Sequence, residues 1–338
     1  MVAKIVTTPS QGDLLNPGDY FGVGNDILYL MIPTPNQALI RTMQGNDFVS
    51  VVSAPSGNYG YEFRLGLGDD TLLGSSLADN YIDEGGNDQV NMGAGTDRVN
   101  AGPGNDTIDG GSHPGLLGDT IHFGTSSDSF GNFTIITQGV TLDLASTNPQ
   151  NLGFYGVDTY LNFENVFGGG GNDSFFGTNS VNDLRGMGGN DFLRGFGGDD
   201  YLMGGPGQDL LIGDAGADYL DVGQTASGFD GEADVVKYLR ITDSNSDNLD
   251  EIFNFQNIAA GGVDKINLSE IDANTTVSGN QAFQFVGTAG FTQPGGEVRL
   301  ANFDGATLVM VDNDGDSAAE MVFLLHGVTG LVAGYFIL

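Results

Sequence analysis

Asp70, Asp79, Asp88, Asp97 and Asp106 stand nine residues apart. Asp173, Asp191, Asp200, Asp209 and Asp218 keep the same beat, with Asn182 in the one remaining place. A side chain that returns at a short fixed period occupies the same place in each turn of a stacked coil. Carboxylates stacked in that way repel one another unless a cation lies between them. The period therefore predicts a solenoid, and the charge predicts a divalent cation as its ligand.

Written in nines from Leu65, the first block reads LGLGDDTLL, GSSLADNYI, DEGGNDQVN, MGAGTDRVN, AGPGNDTID. From Gly168 the second reads GGGGNDSFF, GTNSVNDLR, GMGGNDFLR, GFGGDDYLM, GGPGQDLLI, GDAGADYLD. Position 4 is mostly Gly and position 6 mostly Asp. Position 8 is always apolar or aromatic: Leu72, Tyr81, Val90, Val99 and Ile108, then Phe175, Leu184, Leu193, Leu202, Leu211 and Leu220. Positions 7 to 9 predict a minimal strand with only its middle residue pointing inward. Positions 1 to 6 predict a turn in conformations that Gly accepts cheaply, with carbonyls free to face a cation. Oxygen donors, with neither His nor Cys in the repeat, select Ca²⁺ over zinc or copper.

These nonapeptides resemble the RTX (repeats-in-toxin) repeat, GGxGxDxUx, where U is a large apolar residue. The resemblance implies an all-β fold, a parallel β-roll with two nonapeptides to a coil. It also implies an ion between each loop and the loop two repeats on, held by the position 6 carboxylate and by carbonyls at positions 2 and 4. Carried onto this chain, those carbonyls are Gly66, Gly68, Gly86, Gly93, Gly95, Gly102 and Gly104 beside the first ladder. Beside the second they are Gly169, Gly171, Gly189, Gly198, Gly205, Gly207 and Gly216. Pairs two repeats apart then give about three ions in the first block and about four in the second. GSSLADNYI and GTNSVNDLR depart most from the pattern.

Upstream, GVGNDILYL and MQGNDFVSV read as single degenerate repeats, with Asp26 and Asp47 in the position 6 role. They predict longer coils capping the solenoid over residues 1–64, before a first repeat block at 65–121 that also takes in Asp119 of GDTIHF. Residues 122–167 carry longer alternating stretches such as NFTIITQGVTLDLA, which either continue the roll or form a subdomain. The second repeat block spans 168–223.

From residue 224 to 338 the nonapeptides give way to β-strand and turn patterns, read as a β-sandwich-like cap. This segment resembles the C-terminal domain of serralysin-type proteases, which also closes RTX proteins that are not proteases. The resemblance implies a cap on the roll and a signal for type I secretion. That family usually ends in an acid and three apolar residues; this chain ends Tyr335-Phe336-Ile337-Leu338, keeping the triplet without the acid. Asp312, Asp314 and Asp316, with Glu320, have the alternating spacing of a calcium loop. Gly315 falls at the fourth place rather than the sixth, so this is no EF-hand, and a solvated hairpin turn fits the same residues. Asp243, Asp247 and Asp250 read as a charged loop.

The chain's 338 residues hold 44 acidic against 10 basic side chains, a net charge of −34, which excludes binding nucleic acid through its phosphates. So acidic a chain with 56 glycines predicts disorder without calcium. Its 39% of hydrophobic residues, set in register, predict order with it. Absence of cysteine excludes disulfides and thiolate metal sites. The N-terminus lacks the apolar core of a cleaved signal peptide, and no apolar run reaches membrane-spanning length. His113, His122 and His326 form no HExxH, and there is no GxSxG, so no catalytic residue is expected. The helix-rich pore region of RTX toxins is lacking too.

The expectation is a secreted, non-enzymatic calcium-binding protein that folds as several Ca²⁺ bind, after passage through type I secretion machinery. One alternative is a calcium-dependent extracellular adhesin or polysaccharide-binding protein. Another is a non-catalytic relative of RTX proteases or of alginate epimerases.

Overall fold

The computed structural model describes residues 3–6, 24–30, 38–52, 60–113, 115, 118–127, 133–223, 231–256, 263–292 and 295–338. The chain divides into two units, Met1–Gly170 and Gly171–Leu338. Among the described residues there is no α-helix. Two single 3₁₀ turns, Gly153–Tyr155 and Ala333–Tyr335, interrupt a succession of short strands, and no helix is long and apolar enough to cross a membrane.

In the first unit, alternate nonapeptides contribute to alternate sheets. Ala3–Val6, Ile27–Leu30, Phe48–Val51, Thr71–Ser75, Gln89–Gly93, Thr107–Asp109 and Val157–Leu161 stack in parallel in one sheet. Ala38–Arg41, Tyr61–Arg64, Asn80–Ile82, Arg98–Asn100, Thr120–His122 and Asn165–Phe167 stack in parallel in the other. Leu72 pairs with Val90 and Tyr81 with Val99, a register of two nonapeptides. Of the strands whose side chains are described, each buries an inward residue: Leu28, Val49, Leu72, Val90, Ile108 and Tyr160 from one sheet, Ile40, Phe63, Tyr81, Val99, Ile121 and Val166 from the other. One apolar residue in nine therefore suffices for a core, because each repeat contributes one short strand of three to five residues and its inward side chain. Within 122–167, Thr125–Ser127 and Phe133–Ile135 form an antiparallel pair before the chain rejoins both sheets.

The second unit repeats the plan. Ser174–Phe176, Phe192–Gly197, Leu210–Ala215, Val235–Lys237, Lys265–Asn267 and Phe336–Ile337 form one parallel run. Asp183–Arg185, Tyr201–Met203, Tyr219–Asp221, Asp250–Phe253 and Met321–Leu325 form the other. Onto the latter, Ala306–Asp312 and Glu297–Phe303 add as antiparallel strands, with Gln284–Gly287 beyond them. The nonapeptides end near residue 223, yet strands as late as Phe336–Ile337 still lengthen the two sheets. The cap is thus continuous with the second unit's roll.

The loops impose conformations that few side chains tolerate. Position 2 is left-handed even where no glycine stands: Met187, Phe196 and Asp214 have φ of 78°, 75° and 67°. At position 4, Gly207 has φ of +141°, and a Cβ there would overlap the carbonyl oxygen of Gly189 in the neighbouring coil. Gly207→Ala is expected to cost at least about 2 kcal/mol, from backbone strain plus overpacking. Gly290→Ala, where nothing lies within 4 Å, is expected to be near neutral. Denaturant melts of the two variants check the contrast.

Candidate metal centre

Within each unit the position 6 residues form hydrogen-bonded ladders. Each backbone N–H donates to the side-chain Oδ1 of the position 6 residue two repeats later. Asp70 donates to Asp88 at 2.9 Å, Asp79 to Asp97 at 2.7 Å and Asp88 to Asp106 at 2.7 Å. In the second unit Asp173 donates to Asp191 at 2.7 Å, Asn182 to Asp200 at 2.8 Å, Asp191 to Asp209 at 2.8 Å and Asp200 to Asp218 at 2.9 Å. Asp26, Asp47 and Asp119 stand in the same columns: Asp26 donates to Asp47 at 2.8 Å, Asp47 to Asp70 at 2.7 Å and Asp97 to Asp119 at 2.6 Å. Just outside, position 5 side chains form an exposed counter-ladder in which the later residue donates to the earlier. Asn87 N–H donates to Asp69 at 2.9 Å and Asn105 N–H to Asn87 at 3.0 Å. Consecutive loop peptides are thereby pinned to both neighbouring coils.

The ladder also runs past the nonapeptides. Asp106 donates to Asp158 at 2.9 Å, Asp119 to Glu164 at 2.8 Å, Asp209 to Asp234 at 2.8 Å, Asp218 to Asp250 at 2.9 Å and Asp234 to Asp264 at 3.0 Å. The charged-loop reading of Asp250 is corrected: it is fully buried and opens a strand. Sequence reasoning missed Asp158, Glu164, Asp234 and Asp264 because the glycine-rich half of the repeat is lost around them. The other half survives as an acid two residues before an inward apolar side chain, as in Asp158/Tyr160, Asp234/Val236, Asp250/Ile252 and Asp264/Ile266.

The ladder carboxylates are buried, and burial dominates their electrostatics. It pushes Asp79 and Asp119 up to about 6, and Asp158, Asp191 and Asp218 to about 7. Asp70, Asp97 and Asp200 rise to about 8. Asp250 reaches about 9, where neighbouring Asp218 adds to burial. One oxygen of each accepts the ladder N–H. The Oδ2 of Asp47, Asp70, Asp97, Asp106, Asp119, Asp158, Asp191, Asp200, Asp218 and Asp250 is buried with no hydrogen-bond partner. Orphaned buried oxygens are costly, and a hard cation is the partner that satisfies both the oxygen and its charge. Position 1 glycines make the space: a Cβ on Gly186, Gly195, Gly204 or Gly213 would overlap the Oδ2 of Asp191, Asp200, Asp209 or Asp218.

Two repeats differ in a specific way. In GSSLADNYI, the Ser75 N–H donates to Asp79 Oδ2 at 2.7 Å and the Ser75 hydroxyl to Oδ1 at 3.1 Å. In GTNSVNDLR, the Thr178 N–H and hydroxyl donate to Asn182 Oδ1 at 2.7 and 3.3 Å. Ser75 and Thr178 occupy position 2 without the left-handed backbone of Met187 and Phe196, which turns their N–H groups onto the ladder side chain. Protein donors there do what a cation would do elsewhere.

The glycines expected to offer carbonyls lie in the loops beside these columns. Among the position 4 residues, Gly68, Gly86 and Gly104 follow one another in one column. Gly189 with Gly207, and Gly198 with Gly216, do so in two others, each glycine close to the carbonyl of the one before it. At position 2, Gly66 packs on the Met43 carbonyl, Gly93 on Ser75, Gly102 on Asp83 and Gly205 on Met187. Gly95 packs on the Leu77 carbonyl. Gly169 lies at the end of the first unit, and Gly171 opens the second.

Asp83 takes a position 1 place usually held by Gly. Its carboxylate accepts from Gly85 N–H at 2.7 Å and Gly102 N–H at 3.0 Å. It offers an oxygen within 4.8 Å of ones from Asp88 and Asp106, all buried. Burial and those two carboxylates hold Asp83 well above the ordinary range. The Asp312 loop is a hairpin turn. The Asp312 carboxylate accepts from Gly315 at 2.7 Å and from Asp314 and Ser317 at 3.1 Å, while Glu320 accepts from Asn313 at 3.0 Å. Asp314 and Glu320 converge on Asp312 within 4.8 Å; Asp316 instead accepts from Ala318 N–H at 2.7 Å.

The RTX calcium-binding nonapeptide repeat, in four copies, matches residues 82–112. No curated protein matches the chain. The peptidase M10 serralysin C-terminal family matches residues 153–337, more than half of the chain and most of the ladder's second half. With its all-β parallel fold, its calcium-binding repeats and that match, the chain belongs to the peptidase M10 serralysin C-terminal family.

Proposed function

We propose that this is a secreted, non-enzymatic protein whose roll closes around several calcium ions after type I export. The observation that carries the reading is the row of buried Oδ2 oxygens that have no protein partner. Ions lie between position 6 residues two repeats apart, such as Asp200/Asp218 and Asp191/Asp209, with carbonyls from loop positions 2 and 4 completing each shell. About seven ions would cancel about 14 of the 34 negative charges, relieving self-repulsion while leaving an acidic surface. Residues 1–64 cap the roll, 65–121 and 168–223 carry the repeats with 122–167 between them in the chain, and 224–338 closes it and carries the export signal.

The residues that hold calcium also keep the free chain open. In a cytoplasm poor in calcium, the carboxylates repel and the roll does not form, so the chain can thread an export channel. Outside, calcium fills the ladder and binding free energy becomes folding free energy.

Calorimetric counting tests the site assignment. Asp200→Asn is expected to lower the number of bound Ca²⁺, since it removes the charge while keeping an acceptor for the Asn182 N–H. Asp79→Asn is expected to leave the number unchanged, because Ser75 already serves its second oxygen. Equal counts for the Asp200 variant and the parent would overturn the assignment.

The acidic surface that remains favours a second reading, a calcium-dependent adhesin bridging to extracellular polysaccharide. Calcium-dependent retention on purified polysaccharide separates it from a free-standing module.

A further inference from the structure

One rung of the ladder has a different chemistry. In the column Asp79, Asp97, Asp119, Glu164, each N–H donates to the next carboxylate. At the last gap, between Asp119 and Glu164, a nitrogen enters. His113 Nδ1 lies 3.2 Å from Glu164 Oε2. His113, Asp119 and Glu164 each bring a ligand atom within 4.8 Å of the others. Among the described residues no other histidine joins such a group. His122 contacts Arg98 and Phe167, and His326 contacts Glu251 and stacks on Phe253.

We propose that this gap binds a divalent transition ion, with Zn²⁺ as its probe, rather than calcium. Three observations converge. Asp119 is wholly buried, its Oδ1 accepts the Asp97 N–H at 2.6 Å, and its Oδ2 has no hydrogen-bond partner. Two glycines clear the space: a Cβ on Gly110 would come within 2.9 Å of Asp119 Oδ2, and one on Gly118 within 2.5 Å of Glu164 Oε2. His113 Nδ1 and Glu164 Oε2, which also accepts the Asp119 N–H at 2.8 Å, pair directly at 3.2 Å, a separation close to the edge of a tetrahedron with ~2.0 Å bonds, about 3.3 Å.

The donor set decides the ion. The repeats offer oxygen alone, which suits calcium. An imidazole with two carboxylates suits zinc and its neighbours in the first transition row. Two carboxylates match the charge of a dication, and three protein donors leave a fourth position to water. The site arises where the strict repeat breaks: between Asp109 and Asp119 the loop reads Gly-Gly-Ser-His-Pro-Gly-Leu-Leu-Gly, and the histidine of this segment enters the column.

The test is a calorimetric titration of the full chain with ZnCl₂, run in excess calcium and repeated after chelation and dialysis, so that failure of the calcium reading does not mask the result. One Zn²⁺ per chain is expected with calcium present. His113→Gln is expected to weaken that binding beyond the ~10–100-fold typical of outer-shell losses, while the calcium count and the β circular dichroism stay unchanged. Co²⁺ in place of Zn²⁺ gives a second readout in the unmodified chain: intense visible d–d bands report a low-symmetry site with a nitrogen donor. Either of two results overturns the proposal: no Zn²⁺ uptake and no Co²⁺ bands at saturating calcium, or Zn²⁺ uptake that His113→Gln leaves intact.

Discussion

Excess chelator at pH 8 is expected to abolish the β-signal in far-ultraviolet circular dichroism, and millimolar calcium to restore it. At that pH the buried ladder acids near 6 to 7, Asp79, Asp119, Asp158, Asp191 and Asp218, are largely driven toward ionisation without a counter-charge. Hydrogen bonds from ladder N–H groups satisfy one oxygen of Asp119, Asp158, Asp191 and Asp218 and leave the other bare. Calcium reverses the balance. If sites bind at ~10⁻⁴ M and calcium stands at ~10⁻³ M, each ion adds about 1.4 kcal/mol, so about seven add about 10 kcal/mol. That is the stability of a whole domain. A chelated chain that keeps its full β-signal at pH 8 would show that the hydrophobic column alone holds the roll.

The pH dependence is expected to change sign with calcium. Unfolded aspartate ionises near ~3.9. In the calcium-free fold, Asp79 and Asp119 rise to about 6, Asp191 and Asp218 to about 7, and Asp70, Asp97 and Asp200 to about 8, all through burial. The native chain then holds more protons than the unfolded one from pH ~4 to ~8, so stability falls as pH rises through that window. The stabilising contribution is fully present below pH ~4 and gone above the folded values. With calcium bound, the same carboxylates are ionised in the fold at pH values where the unfolded chain is partly protonated. Stability then rises with pH from ~3 to ~5 and levels off above. In melting curves, stability is therefore expected to fall between pH 5 and pH 8 in chelator, and to hold level over the same interval with calcium. Parallel slopes would refute the coupling between ladder charge and ion.

Much of this architecture was legible in the period of nine. Position 8 named the core side chains, and position 6 named the ladder, because every nonapeptide puts both in the same place. Legibility failed where the repeat lost its glycines. Asp158 receives its hydrogen bond from Asp106 across 52 residues and Asp250 from Asp218 across 32. No period survives intervals that differ so much, although each acid still precedes its inward apolar residue by two. Asp83 was hidden for a different reason, since it stands at position 1, which the second block fills with glycine throughout. The weak repeats at Asp79 and Asn182 were visible as departures. Only side-chain geometry shows Ser75 and Thr178 turning their own donors onto the ladder. His113 carried no signal in the repeat, because nitrogen is foreign to it.

The measurement that bears most directly on the account is a crystal structure of the calcium-loaded chain, with the ions located by anomalous scattering. The account predicts calcium against the Oδ2 oxygens of Asp70, Asp97, Asp106, Asp191, Asp200 and Asp218, which have no protein partner, and none bridged by Asn182. Those oxygens bonded only to water or to protein donors, with calcium confined to the Asp312 hairpin or the surface, would contradict it.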